Sequence, residues 1–170
     1  MILIKKRHVM NEILDILVND ARTPAEDIAK MIKKPVAAVK KAIKAYEADG
    51  TIVQYKAVIN PELADGGVAP VRALIEVSIV PQKDVGFDRV AERIYSFAEV
   101  ISCYLISGTY DLLLVVEGKS IQTVAEFVSC KLSSMENVRR TTTHFLLKKY
   151  KEEGKVFKQA ARQERLSITY

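Results

Sequence analysis

The sequence predicts an α+β protein in two parts, a helical N-terminal part followed by a part in which strands alternate with helices. Two observations predict this division. Residues 1–61 contain mainly helical spacings of apolar side chains, whereas residues 71–150 follow the order βαββαβ. Between them, residues 62–70 are rich in glycine and proline, which indicates a linker. The 170 residues, 49% of them hydrophobic, suffice for two small cores.

Three helices are predicted in the N-terminal part. The first covers about His8 to Val18, and the second begins at Thr23-Pro24-Ala25-Glu26, a capping box with proline at the first helical position. The second helix ends at Lys33-Lys34-Pro35, because a residue that precedes proline disfavours the helical conformation. A third helix runs from about Val36 to Asp49 and ends at Gly50, a common residue just past a helix end.

Two helices joined by so short a turn predict a helix-turn-helix, whose second helix commonly enters the DNA major groove. At 100° per residue, the third helix directs one apolar face inward and presents only alanine and lysine on the opposite face. A merely solvated face is the alternative interpretation. The candidate DNA-binding residues are Lys33, Lys34, Ala37, Lys40, Lys41, Lys44 and, in the following segment, Lys56.

The segment after Gly50 is rich in β-branched and aromatic residues. Residues 51–55 and 56–59 therefore predict a short hairpin, the wing of a winged helix, with Lys56 near its tip. The third helix lacks Arg, Asn and Gln, the side chains that contact base edges best. Lysine mainly neutralises phosphate, so we expect binding to double-stranded DNA with strong salt dependence and a contribution from DNA shape.

The net charge of +5 is unevenly distributed along the chain. Residues 1–61 hold 11 Lys/Arg and 7 Asp/Glu, residues 62–147 hold 8 and 11, and residues 148–170 hold 7 and 3. The basic end suits nucleic acid, and no helix has the large aromatic-containing apolar face that membrane attachment requires. Cys103 and Cys130 lack metal-ligand spacing and are expected to be free buried thiols. Without a signal peptide or spanning segment, we expect a cytoplasmic protein with no cofactor, metal or membrane partner.

The βαββαβ order of the second part predicts a ferredoxin-like fold, an antiparallel sheet with both helices on one face. The predicted elements are strand 71–80, helix 85–97, strand 100–107, strand 112–116, helix 120–132 and strand 138–147. The other sheet face is expected to be too apolar for water, which predicts a homodimer. The residues assigned to that face are Val77, Ile79, Tyr104, Leu114 and Phe145.

This arrangement resembles the Lrp/AsnC family of leucine-responsive, or feast/famine, transcriptional regulators, over about Arg7 to Tyr150. The specific pieces are Ile43, Glu47, Gly50-Thr51-Ile52, Asn60-Pro61, Gly108, Tyr110, Asp111, Thr141 and Thr143. The resemblance implies dimers that assemble further, to octamers or open helices, and that wrap or bend DNA. It also implies a small effector, usually an amino acid, bound between dimers near the Gly108 turn.

The resemblance makes six residues candidates for effector binding: Gly108, Thr109, Tyr110, Asp111, Thr141 and Thr143. Glycine allows positive φ and a close approach of its N–H to a carboxylate, and an aspartate can receive an ammonium group. The alternative is structural, since Gly and Asp are ordinary residues of a tight β-turn and threonines are ordinary in a strand.

The sequence departs from the family pattern at three places. Lys33 and Pro35 stand where a glycine and a capping serine are usual, and Ala42 stands where many members carry arginine. Residues 151–170 form a basic extension, for which a helix, an added strand and a disordered tail are all open. These departures are expected to affect the recognition of one defined operator sequence more than they affect the fold.

Two further functions stay open. The same architecture also serves siroheme decarboxylases, but this chain has no histidine in the wing region, and His144 has no general acid nearby in sequence. A ligand-sensing oligomer that does not bind DNA is the other alternative. We expect a regulator rather than an enzyme.

Overall fold

The computed structural model describes residues 12–60, 63, 70–80 and 86–157. The chain divides into two compact units, with the division between Val58 and Ile59. Most of the linker predicted for residues 62–70 lies outside the described residues, as does the predicted beginning of the first helix at His8.

The first unit contains helix α1 (residues 12–19), helix α2 (Ala25–Met31) and helix α3 (Val36–Ala48). All three contribute buried apolar side chains to one core, as their helical spacing predicts. These side chains belong to Ile13, Leu17, Ile28, Ala29, Val39 and Tyr46. The predicted order of helices and the inward face of α3 are confirmed.

The beginning of α2 differs in detail from the predicted capping box. The helix begins at Ala25, and the Thr23 hydroxyl donates a hydrogen bond to the Asp20 carbonyl at 2.9 Å rather than capping the helix. The Glu26 carboxylate binds Lys40 of α3. The capping box is therefore not formed, because both of its side chains have partners outside α2.

The turn between α2 and α3 contains a lysine in the left-handed region. Lys33 has φ 54°, at the position where the family usually has glycine. A side chain in this conformation costs on the order of 1 kcal/mol. Pro35 precedes α3 without a side-chain cap. The replacement of the usual glycine and serine by Lys33 and Pro35 thus leaves a strained turn and a helix without a side-chain cap.

The wing hairpin predicted after α3 is not formed. Residues 53–60 contain no strand, and Val53 and Ile59 are largely exposed. The segment has no Asn-Gly or Asp-Gly pair to make a tight hairpin turn, and two strands alone are marginal without a surface to pack on. Ile52 nevertheless packs against the core, and its N–H donates to the Tyr46 carbonyl.

The second unit has the predicted ferredoxin-like βαββαβ order. Its elements are strand β1 (Val71–Ile79), helix α4 (Asp88–Tyr95), strand β2 (Val100–Leu105), strand β3 (Leu112–Gly118), helix α5 (Ile121–Glu126) with a π-helical continuation (Phe127–Leu132), and strand β4 (Val138–Phe145). The antiparallel sheet has the order β2-β3-β1-β4. Ser120 caps α5 by accepting a hydrogen bond from Thr123 N–H at 3.2 Å, as its position predicts.

The sheet register corrects the predicted assignment of the two faces. Val77, Ile79 and Leu114 are buried with the helices, and Phe145 packs against the same core. Only Tyr104, opposite Leu113, lies on the other face. β1 and β3 carry apolar residues on both sides, so the two-residue period alone did not show which face the helices cover.

We call the face opposite the helices the open face. Its apolar centre consists of Leu74, Tyr104, Leu113 and Val115, which are half-buried or exposed. A polar margin includes His144, whose Nε2 lies 3.2 Å from a Glu76 carboxylate oxygen. No described helix buries side chains on this face, so an apolar patch remains accessible.

After β4 the chain forms a short hairpin of strands β5 (Lys151–Glu152) and β6 (Lys155–Val156). Glu153 and Gly154 both have positive φ, the geometry of a tight hairpin turn. Arg72 of β1 binds Glu152 at 2.8 Å and also Glu117 of β3. A basic helix is therefore excluded for residues 151–156, and residues 158–170 lie outside the described part.

The cysteine prediction is half right. Both thiols are free, and burial raises the pKa of the half-buried Cys103. Cys130 is exposed, because it lies on the outer side of the π-helical continuation of α5. Within the described ranges, no helix is long and apolar enough to cross a membrane.

Candidate functional site

The outer side of α3 and the turn that precedes it form an exposed basic surface, which we call the lysine surface. It consists of Lys33, Lys34, Lys40, Lys41 and Lys44, with Ala37 exposed among them. The opposite side of α3 is anchored by Val39 and Tyr46, which are almost fully buried. Because the apolar side holds the helix in the core, the lysine side chains are directed away from the first unit.

Four residues of the lysine surface have no acidic partner within the part of the chain that the structure describes: Lys33, Lys34, Lys41 and Lys44. Their ammonium groups are exposed and therefore accessible to an anion. Such groups along a helix and the turn before it suit the phosphates on either side of a DNA groove.

Lys40 differs from the other lysines. Its Nζ lies 2.6 Å from Oε1 of Glu26, in the first turn of α2, and both side chains are about half exposed. The hydrogen bond from Lys40 is the largest cause of the lowered pKa of Glu26. The sequence reasoning did not find this pair, since fourteen positions separate the residues and no local spacing rule connects them.

Lys56, the candidate in the predicted wing, is exposed in the irregular segment 53–60. The segment is attached to α3 at Tyr55, whose hydroxyl donates a hydrogen bond to Glu47 at 3.0 Å. The phosphate contact of Lys56 was predicted from its position at a hairpin tip. Residues 53–60 form no hairpin, so the structure gives no basis for this contact.

The turn that precedes β3 contains four of the predicted effector residues. Gly108 does not have positive φ, contrary to the reason given for it. Asp111 binds the neighbouring strand β1: its Oδ2 accepts from Ile79 N–H at 2.8 Å, and its own N–H donates to the Val77 carbonyl at 3.0 Å. The carboxylate therefore has a structural role at the end of β1. Thr109 is exposed and Tyr110 is half-buried.

The two candidate threonines lie on the helix-covered side of β4. Thr141 is opposite Val77 and Thr143 is opposite Ile75, and both are half-buried. Since Asp111 binds the backbone of Val77, the sheet brings Thr141 and the turn to the same end of β1. Thr143 lies two residues further along β4, away from the turn.

Two surface cavities lie beside α4 and away from these candidates. The first, about 280 Å³, is lined by Arg89, Val90, Arg93 and Asn137. The second, about 490 Å³, is lined by Arg93, Phe97, Cys130, Lys131, Ser134, Met135 and Glu136. Neither cavity is lined by a candidate DNA-binding or effector-binding residue. Among the described residues, no group of three or more side chains has the composition of a metal site.

Both units match known domain families. Residues 9–53 match the winged helix-turn-helix DNA-binding family, and residues 72–156 match the Lrp/AsnC ligand binding domain. The second match ends at Val156, so it includes the β5–β6 hairpin. The two matches correspond to the two units of the structure.

Whole-chain comparisons give the same answer. The chain is 48% identical over 158 residues to an uncharacterized HTH-type transcriptional regulator, YugG, of Bacillus subtilis (strain 168), covering 93% of this chain and 95% of that protein. It is 32% identical to the HTH-type transcriptional regulator LrpA of Pyrococcus abyssi, covering 82% and 94%.

Solved structures share the fold. A transcriptional regulator from Neisseria meningitidis, in complex with L-Met, has a TM-score of 0.65 at 26% identity and covers 85% of this chain and 91% of that one. AsnC of E. coli has a TM-score of 0.62 at 20% identity, covering 84% and 92%, which supports the fold alone. A helix-turn-helix with a basic α3, followed by this ligand-binding domain, makes the chain a transcriptional regulator of the Lrp/AsnC family.

Proposed function

We propose that the protein binds double-stranded DNA through α3 and that a small effector, an amino acid, controls its occupancy of DNA. The observation that carries this proposal is the lysine surface, where two lysines of α3 and two of the turn before it have no acidic partner among the described residues. In a helix-turn-helix, α3 is the helix that is presented to the major groove. Lysine binds phosphate as a point charge, so α3 positions the protein on the backbone.

Few side chains of α3 can distinguish one DNA sequence from another. α3 contains no Arg, Asn or Gln, so bidentate contacts to guanine or adenine are not available from it. Selectivity then comes largely from how readily a given sequence adopts the groove width and bend that the lysines favour. Wrapping or bending of DNA by several protomers is consistent with this mode of binding.

Homodimerisation through the open face supplies the pairing of DNA-binding units. Leu74, Leu113 and Val115 form an accessible apolar centre, and a second copy of the same face buries it by two-fold symmetry. Two α3 helices in one dimer then contact two half-sites. Assembly of dimers into octamers or higher forms allows the protein to contact a longer stretch of DNA.

The effector is proposed to bind near Gly108, Thr109, Tyr110 and Asp111, with Thr141 and Thr143 on β4. The Neisseria meningitidis relative, solved with L-Met, supports an amino acid as the ligand class. An effector changes DNA occupancy only through a difference in its affinity for the two assembly states. A site between dimers provides such a difference.

We propose no enzymatic role. The relatives are named as transcriptional regulators, and a siroheme decarboxylase has no support from them. His144 does have a carboxylate partner, Glu76, which its position in sequence did not reveal, but the proposed dimer covers this margin of the open face. A regulator of transcription acts on DNA, so we place it in the cytoplasm.

The direct test is DNA affinity measured by fluorescence anisotropy over a range of KCl concentrations. We expect log affinity to fall linearly with log salt, because each neutralised phosphate contributes about 0.9 to the slope. A dimer presents eight lysines of the unpaired kind, so the slope should lie between about −3 and −7. Absence of binding at low salt would favour the ligand-sensing oligomer that does not contact DNA.

The effector is tested by thermal unfolding of the protein with each of the twenty amino acids. A ligand at about 100 times its Kd stabilises the folded form by about 2.7 kcal/mol, which raises Tm by several degrees. We expect a shift for at least one L-amino acid and none for its D-enantiomer. The Thr141→Val variant should lose the shift but keep the Tm of the unliganded protein. Indifference to every amino acid would contradict this ligand class.

A further inference from the structure

The pair between Glu26 and Lys40 is the one described ion pair that joins the lysine surface to an acid. The Lys40 Nζ lies 2.6 Å from the Glu26 carboxylate, a short, charge-assisted hydrogen bond. Lys40 lies on the side of α3 toward α2, between the buried Val39 and the exposed Lys41. It is close enough to the outward row to contribute a fifth cation if it were released.

A DNA phosphate and the Glu26 carboxylate are alternative partners for the same ammonium group. Both are oxygen anions, and Lys40 is about half exposed, so a phosphate has access to it. While the pair persists, its net charge is zero and Lys40 releases no counterion from DNA. Non-specific affinity depends on the number of phosphates neutralised, so the pair reduces it.

We propose that Glu26 attenuates DNA binding by holding Lys40 away from the phosphate backbone. The inference rests on the proposed DNA-binding function and adds to the same site a residue that weakens DNA binding. Glu26 is a positioning residue, which acts on DNA through Lys40 and makes no DNA contact of its own.

The attenuation has a physical consequence for selectivity. A regulator with one fewer phosphate contact per protomer depends less on charge and proportionally more on DNA shape. The lowered pKa of Glu26 keeps the carboxylate ionised well below neutral pH, so the pair persists throughout the neutral range.

The test compares Glu26→Gln with the wild type in the salt titration. The variant releases one Lys40 per protomer, so the slope of a bound dimer should steepen by about 1.8. The ratio of variant to wild-type affinity should then be about tenfold larger at about 50 mM than at about 200 mM salt.

A matched control is Asp27→Asn. Asp27 is the neighbour of Glu26 in α2 and pairs at 2.9 Å with Lys30 on the same helix, not with a residue of α3. This variant changes the net charge equally and also releases a lysine, so it reports the general effect of removing an acid. We expect it to leave the slope close to that of the wild type.

Lys40→Ala and the double variant Glu26→Gln/Lys40→Ala show whether Glu26 acts through Lys40. Lys40→Ala is the reference for the double variant, because it removes the cation that Glu26 binds. In its background, Glu26→Gln should have no effect on the slope. An increase that persists without Lys40, or that Asp27→Asn reproduces in full, overturns the inference.

The two proposals fail in different ways. If the wild type binds DNA with the expected salt dependence and Glu26→Gln has the same slope, only the attenuation is wrong. If the wild type does not bind DNA at any salt concentration, the DNA-binding proposal fails and the attenuation fails with it. Circular dichroism of each variant verifies that the helices are intact.

Discussion

Replacing Lys41 and Lys44 together by alanine is expected to remove about half or more of the salt dependence of DNA binding. Both ammonium groups are exposed on α3, and neither has an acidic partner among the described residues. A bound dimer loses four phosphate contacts, so the slope of log affinity against log salt should decrease in magnitude by about 3 to 4. Affinity at low salt should fall by at least about a hundredfold.

Alanine has the highest helix propensity, so the double variant should retain α3. The matched control replaces two exposed lysines of the second unit, Lys151 and Lys155, by alanine and changes the net charge equally. Fluorescence anisotropy over the same salt range measures all three proteins. If both double variants have the same slope, the lysine surface is only a solvated helix face and the DNA-binding proposal loses its main support.

Leu113→Arg is expected to convert the proposed dimer into monomers. Leu113 lies at the centre of the open face, directly opposite Tyr104 on β2 and Glu76 on β1. In the monomer the new guanidinium can pair with Glu76 and remain in water. In a dimer, two such groups related by symmetry would be buried close together, and an uncompensated buried charge costs several kcal/mol. The dimer dissociation constant should rise by at least about a hundredfold.

Sedimentation velocity over a range of protein concentrations measures this dissociation. Gln122→Arg is a suitable control, because Gln122 is exposed on α5, on the helix-covered side of the sheet. It adds the same charge without changing the open face. A Leu113→Arg protein that keeps its helices and strands, yet retains the wild-type mass, would show that dimerisation uses another surface.

Local chemistry allowed the elements of the fold to be predicted. Pro35 and Gly50 limit α3, Ser120 caps α5, and the alternation of strand and helix spacings identifies the βαββαβ order. These signals act over three or four residues, so they are visible along the chain. The same holds for the strain at Lys33, where a short turn requires positive φ whatever residue occupies it.

The candidate sites were predictable only in part. The exposure of the lysines on α3 follows from its helical period, and it is confirmed. The role of Asp111 does not follow from its residue type. A carboxylate in a turn can accept a hydrogen bond from the ammonium group of a ligand or from a backbone N–H. The structure shows it bound to Ile79 N–H, while its contact with an effector stays a prediction.

By itself, the sequence determined the order of helices and strands that defines the fold, the approximate position of most of them, and which side of α3 is basic. Only the tertiary structure decided which sheet face the helices cover, that no wing hairpin forms, and that Glu26 binds Lys40. The physical reason is the distance along the sequence over which each interaction acts. Capping, periodicity and turn preferences act between near neighbours, whereas a face is buried and an ion pair forms only when distant segments meet.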